Sequence, residues 1–413
     1  MQDNLIETYE HQPISSLSEE ELVGLLKEPT CLIDCVDLKN KTCQTGYFIG
    51  LARMPNSEKV LFVKPKLDKY SRGTDYLRML SVCLQHPEVL AHTKGLFQLD
   101  FKKPPISIRQ KEDLITPLIV IQFLHSVHRI VQKGIQKRYY KIVDNMRSAV
   151  KGKILVGKTI KQNHFRNRNL HTFCQYDEFG IHNMENKLIK KALSFILRYA
   201  EVWNNNRVEL STMLNFILPA FAAVEGDLKE KEVRHPHFNI LYDEYHDAVQ
   251  LGLLILKRFG YNINTILPEE EVEVHPFWID MSKLFELYVL GKLKDSLGSN
   301  DVIFQAEGKY GNLDFLRITQ GNEMVIDAKY KLAYKQGEYK IEDIRQLSGY
   351  ARDKGIFHHL AISPGSRGQT VLPCVIIYPD DDAEVNIHPN NLLANPIPAF
   401  ENFYKLGISV PQL

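Results

Sequence analysis

VIFQAEGKYGNLDFLRITQGNEMVIDAKYK, from Val302 to Lys331, reads as three strands, the last of which ends in an acid and an amine. The segments Val302–Ala306, Leu313–Ile318 and Met324–Tyr330 are rich in β-branched and aromatic residues, as strands require. Side chains alternate along a strand, so Asp327 and Lys329 share one face. A face that merely covered a core would be apolar there. The Gln320-Gly321-Asn322 turn brings the preceding strand alongside and sets Asp314 beside Asp327.

Two carboxylates and a lysine at the end of a sheet make a site for a hard cation. Mg2+ held by one or two carboxylates polarises a phosphodiester and supplies a nucleophile, while the lysine orients the attacking water and offsets charge on phosphorus. Asp314, Asp327 and Lys329 are therefore the expected catalytic centre, with Asp314 and Asp327 as metal ligands. Glu286, in the helix Met281–Leu297 ahead of the sheet, is expected to add a further carboxylate ligand. After the third strand, Asp343, Gln346 and Tyr350 share a face of a helix over Ile341–Asp353, where Gln346 and Tyr350 suit phosphate and backbone contacts. Strands at His359–Ile362 and Val375–Tyr378 complete a mixed sheet flanked by helices. A lone D-x-K is a weak signal; the joint order of helix Glu, strand Asp, D-A-K strand and Q-x-x-x-Y helix is a specific one. The bland alternative is an exposed Asp–Lys pair on an edge strand.

The rest of the chain reads as an α/β multidomain protein. Its 413 residues suffice for two or three domains, and its 44% hydrophobic and 24% charged residues are ordinary for a globular chain. Ser18 and Glu21 form a capping box ahead of a helix over Glu19–Lys27. The segments Cys31–Leu38, Gly46–Met54, Lys59–Val63 and Leu96–Phe101 read as strands of a β-rich module, with Cys31 and Cys35 in its core. From Lys111 to Ile142 apolar residues recur at helical spacing, and Lys153–Ile160 looks like a strand. Helices are expected at Asn183–Tyr199, with Leu188, Leu193, Ile196 and Leu197 on the buried side, and at Leu210–Ala223 and Ile240–Arg258. A Pro- and acid-rich linker, Pro268 to Pro276, precedes the final domain. The expected division is thus an N-terminal β-rich and basic module, 1–160, a helical middle region, 161–275, and the final domain, 276–413.

Net charge is +1, but Arg129 to Arg168 carries twelve Lys or Arg residues against the single acid Asp144, a candidate contact surface. Gly152 to Thr159, GKILVGKT, spells a phosphate-binding loop letter for letter. Its middle residues are strand-like, a basic, Asn-rich stretch follows and no aspartate-ended apolar strand lies downstream to hold magnesium, so it reads as coincidence. His235, His237, Asp243 and His246 lack metal-ligand spacing. Six scattered cysteines, no leader-like N-terminus and no uninterrupted apolar span point to a cytoplasmic protein without membrane contact.

With these residues in view, the final 140 residues resemble the nuclease domain of the McrC family, the endonuclease subunits of McrBC modification-dependent restriction systems. The resemblance rests on Asp280-Met281, Leu284-Phe285-Glu286, Leu313-Asp314, Val325 to Lys331, Asp343 with Gln346 and Tyr350, and Tyr378-Pro379. Weaker similarity covers Pro65-Lys66, Gly152-Lys153-Ile154 and Glu185 to Leu188. It implies a PD-(D/E)xK restriction-endonuclease-like fold and a DNA endonuclease working with an McrB-like AAA+ GTPase ring. In that family the N-terminal part engages the ring and stimulates its GTPase. Two positions depart from the pattern: Leu313 stands where the family often has Pro, and Arg345 where a Tyr often precedes the Gln. A standalone RecB-like repair nuclease, which also carries Q-x-x-x-Y, and a non-catalytic activator of a nucleotide-hydrolysing ring are the competing readings.

Overall fold

The computed structural model describes the chain apart from residues 1–3, 16, 70–72, 85, 87–88, 90–91, 94, 101–102, 105, 110–114, 205–209, 226–242, 262–270, 336–337, 368–369, 381–382, 384–385 and 413. His235 and His237 lie outside the described residues, as do parts of the expected helices at 111–142 and 240–258 and of the linker. The chain folds as a mixed α/β protein of two compact units, one formed by residues 1–112 with 269–413 and the other by residues 113–268.

In the first unit, one five-stranded sheet runs in the order Leu5–Tyr9, Val60–Lys64, Phe48–Arg53, Phe277–Asp280 and Phe97–Leu99. Its fourth strand comes from beyond residue 276, so the early β-rich residues and the start of the expected final domain share one sheet. Gly50 makes this possible: with φ at 142°, it faces Trp278 so closely that an added Cβ would overlap the Phe277 carbonyl. A side chain there would push the strand away. A small three-stranded sheet, Pro13–Ile14, Thr42–Thr45 and Ile33–Asp37, lies beside the helix Glu19–Lys27, whose capping box forms in full: Ser18 Oγ accepts from Glu21 N, and Glu21 Oε2 accepts from Ser18 N. Cys31 and Cys35 are exposed, not core residues; between them Leu32 is buried in the core and Ile33 packs against it.

The second five-stranded sheet runs Val302–Gly308, Gly311–Arg317, Met324–Ala328, Cys374–Pro379 and Phe403–Ile408, antiparallel over the first three strands and parallel over the last two. Val325 and Leu316 pack in one core with Ile344 and Leu347 of the helix Ile341–Tyr350. Each such fully buried aliphatic side chain contributes about 1.5–3 kcal/mol. His359–Ile362 is not a strand: it ends the helix Lys354–His359 and turns, with Ala361 at φ 53°. The final strand, Phe403–Ile408, was not anticipated. The expected linker holds a strand, Glu271–Val274, paired with Ile106–Arg109. The chain therefore leaves and re-enters this unit on neighbouring strands.

The second unit contains the helices Ile115–Lys133, Met184–Asn204, Ser211–Phe221 and Asp243–Tyr261. The first ends before Gly134, at φ 90°, and residues 138–142 are strand rather than helix. Arg138–Arg147 pairs along its whole length with His171–Gly180, so a two-stranded ribbon spans the expected boundary at residue 160. Lys153–Ile154 adds two residues to it, and a helix, Val156–Gln162, replaces the rest of the expected strand. Leu188, Leu193 and Ile196 are buried as expected, whereas Leu197 is exposed. Among the described residues no helix is long and apolar enough to cross a membrane.

Candidate active site

The helix Met281–Leu297 follows the strand Phe277–Asp280 without a loop, and Asp280 caps it by accepting from Lys283 N at 3.0 Å. Its buried residues, among them Met281, Leu284, Phe285, Leu287, Tyr288, Val289 and Leu290, leave no clean polar stripe. Such a helix belongs inside a core, and Glu286 is a carboxylate set among these apolar neighbours. Burial therefore raises its pKa, and the charge of Asp327 raises it further.

Phe315 pairs with Ile326, so the next residues in register, Asp314 and Asp327, face each other at the end of the sheet. Their side chains share a hydrogen bond, and Asp314 Oδ2 also accepts from Ala328 N at 3.0 Å. Burial raises both acids, and each is raised further by a carboxylate neighbour, Asp314 by Glu286 and Asp327 by Asp314; Asp327, 2% exposed, is pushed up to about 8. Like charges at this separation do not both ionise readily, so the two titrate as a pair. Lys329 Nζ lies 2.8 Å from Asp327 Oδ2 and donates to Gln346 Oε1 at 3.2 Å. Burial works against charge on this lysine, but the Asp327 carboxylate outweighs it and holds the amine above the usual lysine range. The Lys329 backbone N–H donates to Ile377 O, which continues the sheet past the end of its strand.

All five expected residues thus belong to one neighbourhood: Asp314 and Asp327 share a hydrogen bond, Lys329 contacts Asp327, Gln346 contacts Lys329, and Glu286 interacts electrostatically with both acids. Asp343 and Tyr350 have other partners. Asp343 is buried and accepts from Lys331 Nζ at 2.8 and 2.9 Å and from Tyr334 Oη at 2.7 Å; burial opposes its charge, but these hydrogen bonds keep its pKa below the usual carboxylate range. Tyr350 lies against Gly311 at the hairpin end. The sequence reading missed Gln305, which hydrogen-bonds Glu286 and stands opposite Asp314 with φ at 49°. The two-residue turn Lys309-Tyr310 between paired Gly308 and Gly311 fixes that register, and it was readable in the sequence.

Among the described residues, no group of three or more His, Cys, Asp or Glu side chains is arranged so that it could hold a metal ion as it stands. The donor set nonetheless suits one. Three largely buried carboxylates, all with raised pKa, are more negative charge than the pocket accommodates unaided. Apart from the Lys329 ion pair, Asp327 Oδ2 is buried without a hydrogen-bond partner. Oxygen-only donors of this kind are those that hard divalent ions take.

The phosphate-loop lookalike is committed elsewhere. Thr159 Oγ1 accepts from Phe173 N, and Lys158 Nζ sits 4.5 Å from the Phe173 ring centroid.

A sequence profile of the family described as McrBC 5-methylcytosine restriction system component matches residues 43–355. No curated protein matches. Among solved structures, the chain is similar to one from a refined half-complex of a tetradecameric assembly of Thermococcus gammatolerans McrB AAA+ hexamers with bound McrC. The two are 17% identical over 98% of this chain and 94% of that one, with a TM-score of 0.38. A chain of the cryo-EM structure of the Thermococcus gammatolerans McrBC complex is also 17% identical, over 71% of this chain and 88% of that one, with a TM-score of 0.28.

Proposed function

The chain belongs to the McrBC restriction-component family, and on that premise we propose that it is a Mg2+-dependent DNA endonuclease subunit of such a system, with a nuclease domain of the PD-(D/E)xK type. The single observation that carries this reading is the convergence of Asp314, Asp327 and Lys329 at the end of adjacent strands, with Glu286 acting on both acids.

Asp314 and Asp327 would hold the cation, with Glu286 as a third carboxylate. When bound, the ion supplies Lewis-acid polarisation of the scissile phosphate. A bound cation would require Asp327 in its charged form, which burial and the facing Asp314 disfavour in the metal-free chain and which Lys329 partly supports. Lys329, beside these acids, would orient the attacking water and offset charge building on the phosphate oxygens. Gln346 accepts from the Lys329 amine and is itself exposed, so it is available to the DNA backbone.

DNA and an McrB-like AAA+ GTPase ring are the proposed partners. The McrC of Thermococcus gammatolerans is bound to McrB AAA+ hexamers. In the present chain, the ribbon of residues 138–147 and 171–180 is a suitable contact element. Tyr139, Val143 and Phe179 are exposed on it, with the Tyr139 and Phe179 rings 5.0 Å apart, and Phe165 is exposed nearby in sequence. Exposed aromatic residues interleaved with the basic residues of 129–168 suit a partly acidic protein surface.

Cleavage of DNA with the ring, GTP and Mg2+ should fall at least ~100-fold in Asp327→Ala and in Lys329→Ala, while stimulation of the GTPase persists. Undiminished cleavage by both variants would exclude the assignment. Cleavage of linear DNA by the isolated chain without nucleotide would favour a standalone nuclease instead.

A further inference from the structure

Behind the proposed site lies a second buried polar cluster, built from segments far apart in sequence. The strand Val60–Lys64 ends at Pro65, and Lys66 opens a short 3-10 turn, Lys66–Lys69. Lys66 Nζ donates to the Tyr330 carbonyl at 2.7 Å and sits 3.9 Å from the centroid of the same residue's ring. One ammonium therefore fixes both the backbone and the side chain of the residue that directly follows Lys329. Tyr330 in turn lies 5.7 Å, ring to ring, from Phe285, which directly precedes Glu286. Glu10, 1% exposed, anchors the arrangement from the other side: its Oε2 accepts from Lys66 N at 2.9 Å and from Tyr330 Oη at 3.3 Å.

We propose that Lys66 is a positioning residue of the nuclease site: by gripping Tyr330, and through it Phe285, it keeps the segments bearing Lys329 and Glu286 convergent. The inference rests on the nuclease reading above and adds to it a residue of the N-terminal part of the chain.

Stability alone gives little reason for this cluster. Burial pushes the Lys66 amine down to about 8 and the Glu10 carboxyl up to about 7, and Glu10 Oε1 is buried with no hydrogen-bond partner. A buried ion pair is often no more stable than apolar residues of the same volume. What the charged pair supplies is direction. A hydrogen bond to the Tyr330 carbonyl fixes the orientation of the peptide between Tyr330 and Lys331, one residue beyond Lys329, which apolar packing leaves free to rotate. Groups that orient metal-binding residues from behind typically change metal affinity when removed.

The test is Mn2+ binding to the full-length chain by titration calorimetry, with thermal melting of the metal-free protein alongside. Lys66→Met keeps the straight chain against the tyrosine ring and removes the ammonium; the double variant Glu10→Gln/Lys66→Met also removes the uncompensated carboxylate. Both should bind Mn2+ about 10-fold more weakly than the wild type, with the double variant melting near the wild-type temperature. Unchanged Mn2+ affinity in the double variant would overturn the proposal, whatever its melting temperature. Failure of both variants to fold would also contradict it, since the cluster would then be a stability element. If the wild-type chain shows no Mn2+ binding that Asp327→Ala abolishes, the metal-site reading beneath the proposal fails instead.

Discussion

Asp327 carries a carboxyl group where its charge is unfavourable: buried, facing Asp314, and, among the described residues, partnered beyond that dyad by Lys329 alone. Its pKa of about 8 in the folded chain lies well above the ordinary carboxylate value. At a pH below that ordinary value both folded and unfolded chains are protonated there. As pH rises toward 8 the unfolded chain ionises first, so stability is lost across that window and levels off above it. Asp327→Asn removes the effect. Because the shift is shared with Asp314 and the substitution also loses the Lys329 ion pair, the net gain is small: the metal-free protein should melt about 2–4 °C higher at pH 8, ~1 kcal/mol in a unit of this size, with the difference shrinking toward pH 4. A variant that is no more stable at pH 8 than at pH 4, relative to wild type, would contradict the assigned strain. At this scale the sequence was informative about Asp314, Asp327 and Lys329, because period-2 alternation and one turn suffice to bring them together. It was silent on the pairing of Lys331 and Tyr334 with Asp343, which depends on how the chain bends after the strand, and on the contacts of Glu10 and Lys66 with Tyr330, more than 260 residues away.

Elements with strong local signals were legible. The helices Glu19–Lys27 and Met281–Leu297 lie where capping and apolar spacing put them. The errors cluster between residues 134 and 162, where a long ribbon carries apolar residues at spacings that also fit a helix. Gly134, with its positive φ, is the switch point that periodicity alone does not reveal. Pairing partners were likewise beyond local reading: nothing near Gly50 tells that Trp278 will lie across it. That contact matters for the site, because the strand Phe277–Asp280 leads directly into the helix bearing Glu286. Gly50→Ala should therefore destabilise the protein by about 2 kcal/mol or more, and denaturant melts would show it. A change within experimental error would mean that the close approach is not maintained in solution.

At the scale of the whole chain, residues 113–268 are an insertion into a unit made from both ends of the sequence. Arg109 pairs with Glu271, so the two points where the chain leaves and returns are neighbours. Residues 1–112 joined to 269–413 by a short Gly-Ser linker should fold cooperatively, with a single calorimetric transition. The segment 276–413 alone should not, because among the described residues its first strand pairs only with residues 48–51 and 97–99. Independent folding of 276–413 would contradict this division. The central claim concerns a divalent ion between two facing acids, and crystals grown with Mn2+ test it most directly. The account expects an anomalous-scattering peak ~2.0–2.3 Å from carboxylate oxygens of both Asp314 and Asp327, with Lys329 displaced from Asp327. Carboxylates still hydrogen-bonded to each other, with no peak between them at saturating Mn2+, would contradict it.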